Sequence, residues 1–329
     1  MKSFTEQVGI EVPLICGAMY PCSNPELVAA VSEAGGIGIV QPLSMVFVHR
    51  HDFRGGLQLI KRLTKKPIGM NIIVEKSSKI YEDRMKKWLD VSLEEGVRFF
   101  VTSLGNPRWV CERAHASGAL VYHDVTTRKW AEKALEGGVD GLIAVNNRAG
   151  GHAGGLGAEQ LFADLSGLGV PLIAAGGVGA PEEFRAMLDL GYAAVQLGTR
   201  FIATPECRAH QTYKDAIVKA EERDIVLTKR ITGVPVSVIR TPYIDQVGTE
   251  AGLIARMLLR NNRTKHWVRM AYSIQSMIKL RRSSLKGMSY QDYWQAGKSV
   301  HGIEAIEPAG DIVRKFAAAL APGAAKVAR

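Results

Sequence analysis

A single histidine, His152, stands in the stretch NNRAGGHAGG (residues 146–155), among four glycines and two alanines. A core histidine ordinarily has bulky neighbours, and a solvated one needs no glycines. Glycine lets backbone approach a ligand closely and adopt positive φ. The pattern therefore presents an imidazole to something flat that packs against the chain itself. Imidazole titrates near neutral pH, so it can serve there as base or acid. The alternative is a histidine that merely fixes its own loop by hydrogen bonds.

Two further glycine-rich stretches point to an anion. IAAGGVG and QLGTRF each follow an apolar run, and Gly176, Gly177, Gly198 and Thr199 offer backbone N–H groups and one hydroxyl. Such groups at βα turns hold phosphates, although the same glycines also suit tight turns alone. Neither GxGxxG nor a Walker A sequence is present, so a Rossmann dinucleotide or P-loop nucleotide is not expected. Gly17, Ala18 and Met19 follow the first apolar run. Asn71 interrupts the apolar run IGMNIIV, where a buried amide needs a partner: a polar ring edge or a neighbouring turn. His123 and Asp124 are adjacent, so in a strand they face opposite sides. His123 is expected at the mouth and Asp124 in a structural role. No spacing suits a metal site, and none is expected.

The elements that must position these residues alternate up to about residue 200. Eight apolar runs (LICGAM, GIGIV, IGMNIIV, RFFVTS, ALVYHDV, GLIAVN, PLIAAGG, AAVQLGT) are separated by helical patterns such as NPELVAAVSEAG and PEEFRAMLDLG. Strands apolar on both faces suit a parallel sheet covered by helices. Eight such units predict an α/β fold, a TIM (β/α)8 barrel with active residues in the loops after the strands. A doubly wound open sheet is the alternative. Residues 1–222 are assigned to the barrel and residues 223–308 to an inserted α-rich basic lobe near the C-terminus, over the mouth. Residues 309–329 are read as a helix returning to the barrel and a tail.

Composition narrows the class. The chain has 329 residues, is 47% hydrophobic and 22% charged, and carries a formal net charge of +10. It contains no apolar run of about 18 residues that would cross a membrane, and its start lacks a secretory pattern. Cys16, Cys22, Cys111 and Cys207 form no CxxC pair, and a cytoplasmic protein with reduced thiols is expected. The positive excess lies beyond residue 250, and no acid occurs between Glu250 and Asp292. That stretch has no helix-turn-helix or aromatic platform, which argues against nucleic acid.

The combination CGAM, GMNI, NNRAGGHAGG, IAAGGVG and LGTRFIAT resembles the nitronate monooxygenase family, which also holds type II enoyl-ACP reductases and flavin oxidoreductases acting on CoA thioesters. The resemblance spans nearly the whole chain. It implies a non-covalent FMN, with Met19 and Asn71 at its ring and Gly176, Gly177, Gly198 and Thr199 at its phosphate. Gly17, Ala18 and His123 are assigned to the same cofactor site. Gly150 and Gly151 would let the ring approach the loop that carries His152, the expected catalytic residue. Many family members read AGQ where this chain has Ala309, Gly310 and Asp311, so Asp311 is a candidate substrate residue. Arg148 stands where a non-basic residue is expected and would either pair with an anionic substrate or face solvent. The expected activity is oxidation of alkyl nitronates with oxygen. The alternative is NAD(P)H-dependent chemistry on an enoyl or oxo thioester of CoA or acyl carrier protein, with Arg281 and Arg282 of the basic lobe as substrate contacts. A homodimer is left open.

Overall fold

The computed structural model describes residues 2–75, 79–230, 235–250, 278–287 and 293–321. Eight parallel strands close on themselves: β1 (Leu14–Cys16), β2 (Ile37–Val40), β3 (Gly69–Val74), β4 (Phe99–Leu104), β5 (Leu120–Val125), β6 (Gly141–Val145), β7 (Leu172–Ala175) and β8 (Ala194–Leu197). The closure is the pairing of β1 with β8, where Leu14 to Cys16 run beside Val195 to Leu197. The fold is thus a TIM barrel, and the open-sheet alternative falls away.

Strand alternation sorts the side chains into two layers. Ile15, Ile37, Ile39, Phe99, Val101, Tyr122, Ile143, Ile173 and Ala194 fill the barrel. Leu14, Cys16, Met70, Ile72, Phe100, Val121, Leu142, Ala174, Val195 and Leu197 face the helices. The lower end is closed by a short helix, Phe4–Val8, started by a Ser3/Glu6 capping box. Phe4 meets Phe99 and Tyr122 edge-on at 5.7 and 5.6 Å. The aromatic layer needs space, and Gly141 on the neighbouring strand supplies it: a side chain there would come within 2.3 Å of the Tyr122 ring.

Helices connect the strands on the outside. Pro25–Glu33 and Pro181–Leu190 each begin with proline at the first helical position, and the second ends on Gly191 at φ +115°. The last helix, Ala309–Ala318, returns to this layer, where Phe316 packs on Phe184 at 5.3 Å.

Beyond Glu222 the described residues add a hairpin that the α-rich expectation did not include. It is antiparallel, formed by β9 (Ile225–Thr228) and β10 (Val236–Ile239). The runs IVLT and VSVI are β-branched and alternate, which favours a strand over a helix. A core of Val236, Val238, Ile244, Leu280 and Tyr293 forms under it and packs against Tyr20 from the loop after β1. Within the basic stretch, Arg256, Arg260, Arg263, Lys265 and Arg269 lie outside the described residues, whereas Lys279, Arg281, Arg282 and Lys286 lie on or beside helix 278–286. Among the described residues, no helix is long and apolar enough to cross a membrane.

The packing of Tyr122 over Gly141 makes a stability prediction. Gly141→Ala should cost about 1–3 kcal/mol through overpacking. Gly167→Ala, where a side chain would meet nothing within 4 Å, should stay within about 0.5 kcal/mol. Urea unfolding of both variants checks this; equal midpoints would refute the tight aromatic layer.

Candidate active site

The barrel interior is apolar until its last layer. There the inner positions are Gly17 after β1, Asn71 on β3, Asp124 on β5 and Gln196 on β8. Closure of the sheet brings the first and last together, since a side chain at Gly17 would stand 3.0 Å from the carbons of the Gln196 amide. Asn71 donates to the Val101 carbonyl at 3.2 Å. Asp124 Oδ1 and Gln196 Oε1 are buried without a hydrogen-bond partner among the described residues, as is the Tyr122 hydroxyl in the core below. Buried polar atoms are almost always paired, so two orphans in the layer nearest the mouth suit a site that a ligand completes. Burial without a partner also pushes the Asp124 carboxyl up to about 7.

His123 and Asp124 thus lie on opposite sides from those expected. His123 shares its face with Val121 and Val125, behind the sheet, and is buried. Thr102 gives its one hydroxyl proton to the Tyr122 carbonyl at 3.1 Å and must therefore accept from His123 Nδ1–H at 2.8 Å. Burial lowers the His123 pKa to about 4, so the ring is neutral. The physical reason for the exchange is strand parity: Tyr122 occupies the barrel core, which sends its C-terminal neighbour outward.

Above this layer, the loops after β6, β7 and β8 pack backbone against backbone. Asn146 ends β6, and its side-chain nitrogen donates to the Gly176 carbonyl at 2.9 Å while its oxygen accepts from the Arg148 amide at 2.8 Å. Gly176 and Gly177 follow β7 with φ of +113° and +83°. A side chain at Gly176 would stand 2.6 Å from the Ala149 nitrogen, and one at Gly150 would stand 2.8 Å from the Gly297 nitrogen. Thr199 accepts from Gly297 N–H at 3.0 Å, so its hydroxyl proton stays available. The N–H groups of Gly176 and Gly177 donate to no described residue. Successive free amides beside a hydroxyl can bind an anion. Met19 completes this corner, its sulfur 3.5 Å from where a Gly198 side chain would begin.

His152 projects from the first of these loops. Ser237 N–H on β10 donates to the Gly151 carbonyl at 2.8 Å, so the hairpin straps the loop from above. On its other side Val238 bridges to Gln295, and Tyr213 O–H donates to the Gln295 carbonyl while stacking on Trp294. The His152 ring is exposed and makes no hydrogen bond to a described residue. The protein around the loop lowers its pKa by desolvation, which keeps the imidazole neutral. Among the described residues, no hydrogen bond from its ring fixes the loop.

Other expected residues are committed elsewhere. Arg148 does not face solvent freely: both terminal nitrogens bind the Glu222 carboxylate, at 2.8 and 2.9 Å. Lys298 joins that carboxylate at 3.2 Å, and the two cations hold the Glu222 pKa below its ordinary value. Asp311 lies in the outer helix layer, paired with Arg314. Ala18 packs against the barrel core. Arg281 lies close enough to the Tyr20 phenol for its charge to act on it, which sets the basic helix beside the mouth. Asn146 and Arg200 were not singled out by type or spacing. Arg200, buried next to Thr199, binds Glu307 and the Ala305 carbonyl, and so ties the return segment to the loop after β8. No three His, Cys, Asp or Glu residues among those described come together as a metal site.

A model of the nitronate monooxygenase family matches residues 2–319. The chain belongs to that family. Within it, a relative from Mycobacterium tuberculosis is 30% identical over 77% of this chain and 69% of its own length. That relative is the (3aS,4S,5R,7aS)-5-hydroxy-7a-methyl-1-oxo-octahydro-1H-indene-4-carboxyl-CoA dehydrogenase. A probable nitronate monooxygenase from Staphylococcus aureus is 24% identical over 79% of this chain and 84% of its own length. The structure of FabK from Thermotoga maritima superposes with a TM-score of 0.79 at 29% identity, over 97% of this chain and 96% of that one. As a nitronate monooxygenase family member, the protein is an oxidoreductase.

The Asn146 hinge sets a measurable outcome. Asn146→Ala removes two buried side-chain bonds and should cost about 2 kcal/mol, with faster amide exchange at Arg148. Unchanged exchange would show that the loop is held by other contacts.

Proposed function

We propose that this chain is an FMN-dependent oxidoreductase acting on a CoA thioester, with NAD(P)H as its electron donor. The observation that carries the substrate class is the position of Arg281 beside Tyr20 at the mouth, within a stretch that holds no acid from residue 251 to 291. A polyphosphorylated carrier needs such a surface, whereas a small nitronate needs one positive charge at most. The 30% identical CoA-ester dehydrogenase supports the same reading.

The residues present fit the cofactor. The paired glycine amides and the Thr199 hydroxyl would hold its phosphate, Met19 and Asn71 would lie at its ring, and Gly150 and Gly151 leave room for close approach. The orphaned oxygens of Asp124 and Gln196 give that ring polar partners. When bound, FMN supplies the acceptor or donor of the hydride. The chain's own contribution is positioning and proton handling. His152, its pKa lowered and its ring without a partner among the described residues, moves the proton at the carbon α to the thioester carbonyl. The hairpin keeps its loop in place, and the basic helix orients the carrier. The second reading, nitronate oxidation, is favoured by the match to the family model and needs only the ring site and His152.

His152→Ala should keep FMN and fold but lower kcat by about 10²–10⁴; near-normal turnover would remove its role. Arg281→Glu together with Arg282→Glu should raise KM for a CoA thioester by about tenfold while leaving a small nitronate unaffected. Equal effects on both substrates would remove the lobe's part in specificity.

A further inference from the structure

We infer that Asp124 is a further cofactor-contacting residue, a carboxylic acid that donates its proton to an acceptor atom of the flavin ring. This rests on the flavin reading above and adds a residue to it. Asp124 is on the inner face of β5, in the layer that separates the apolar barrel core from the mouth. Its Oδ1 is buried and no described residue satisfies it. The residue remains partly exposed, and its inner position makes the mouth the direction of that exposure.

Among the described residues, no cation neutralises it. The flanking strands present Val101 and Ser103 from β4 and Ile143 and Val145 from β6 to the same side. Across the barrel stand Asn71 and Gln196, both uncharged. His123 faces the helices. The loop over this end of β5 rests its Gly154 on the Val145 carbonyl, with Thr126 alongside. It carries His152, whose pKa is lowered, so that ring is neutral as well. A carboxyl in such surroundings keeps its proton up to about 7. It is then a donor facing outward from an apolar floor, in a layer where Gln196 also lacks a partner. The isoalloxazine edge offers carbonyl oxygens and ring nitrogens as acceptors. Ionised, the same group would set a negative charge against them.

The test is FMN binding to apoprotein, followed by flavin fluorescence between pH 6.5 and 8.5, for wild type and Asp124→Asn. The asparagine keeps a donor but cannot ionise, so the ratio of the two dissociation constants cancels the titration of the FMN phosphate. That ratio, wild type over variant, should rise roughly fifteen-fold between pH 7 and pH 8.5, because only the protonated fraction binds well. Asp124→Leu, with its fold checked by thermal melting, should bind weakly at every pH. A flat ratio, or wild-type affinity that strengthens relative to the variant as pH rises, would overturn the inference: the first means no contact, the second an acceptor role. Failure of wild-type apoprotein to bind FMN at any pH would instead overturn the cofactor reading itself.

Discussion

The close approach of bare backbone at the C-terminal ends of β6, β7 and β8 is the constraint on which the rest of the site depends. Gly150, Gly176 and Gly297 touch main chain where any side chain would collide at 2.6–2.8 Å. Their packing creates a concave corner with free amides and leaves the loop that carries His152 no room for a bulky neighbour. The hairpin β9–β10 and the return segment at 293–298 then close over the corner, their backbone N–H groups donating to the Gly151 and Arg148 carbonyls and to the Thr199 hydroxyl. Remove the glycines and neither the anion corner nor the placement of the imidazole survives.

Charge is distributed to match. Charge near the barrel end is muted: Asp124 on the inner face is pushed toward protonation, while behind the sheet His123 is deprotonated by burial, and Arg200 is answered by Glu307. Arg148, which would otherwise put a cation on the histidine loop, is spent on Glu222. Positive charge is carried outside, on the helix beside Tyr20. A neutral pocket for a flat ring under a cationic rim suits a ligand whose reactive part is uncharged and whose handle is polyanionic.

Much of this was legible in the residues. The eight runs apolar on both faces gave all eight barrel strands, because buried parallel strands carry a signal that needs no partner information. GGVG and GTRF marked where backbone comes close after β7 and β8, since positive φ and close approach there call for glycine. The hairpin was missed because a basic, helix-rich neighbourhood drew attention from the β-branched alternation of IVLT and VSVI. Asp124 was undervalued for a different reason. Which neighbour in a strand faces inward depends on which residue enters the core, and that was decided by Tyr122 filling the space above Gly141. Likewise nothing in NNRAGGH shows that Arg148 has a partner 74 residues away.

The proposed activity requires a reducible flavin that exchanges electrons with a CoA thioester. The most direct measurement is an anaerobic absorbance titration of the FMN-loaded protein, first with NADH or NADPH and then with an enoyl- or oxo-CoA. Bleaching of the flavin band by the nicotinamide and its return on adding the thioester is the predicted result. A band untouched by both and bleached by propionate 3-nitronate would contradict the thioester assignment and leave a nitronate oxidase on the same scaffold.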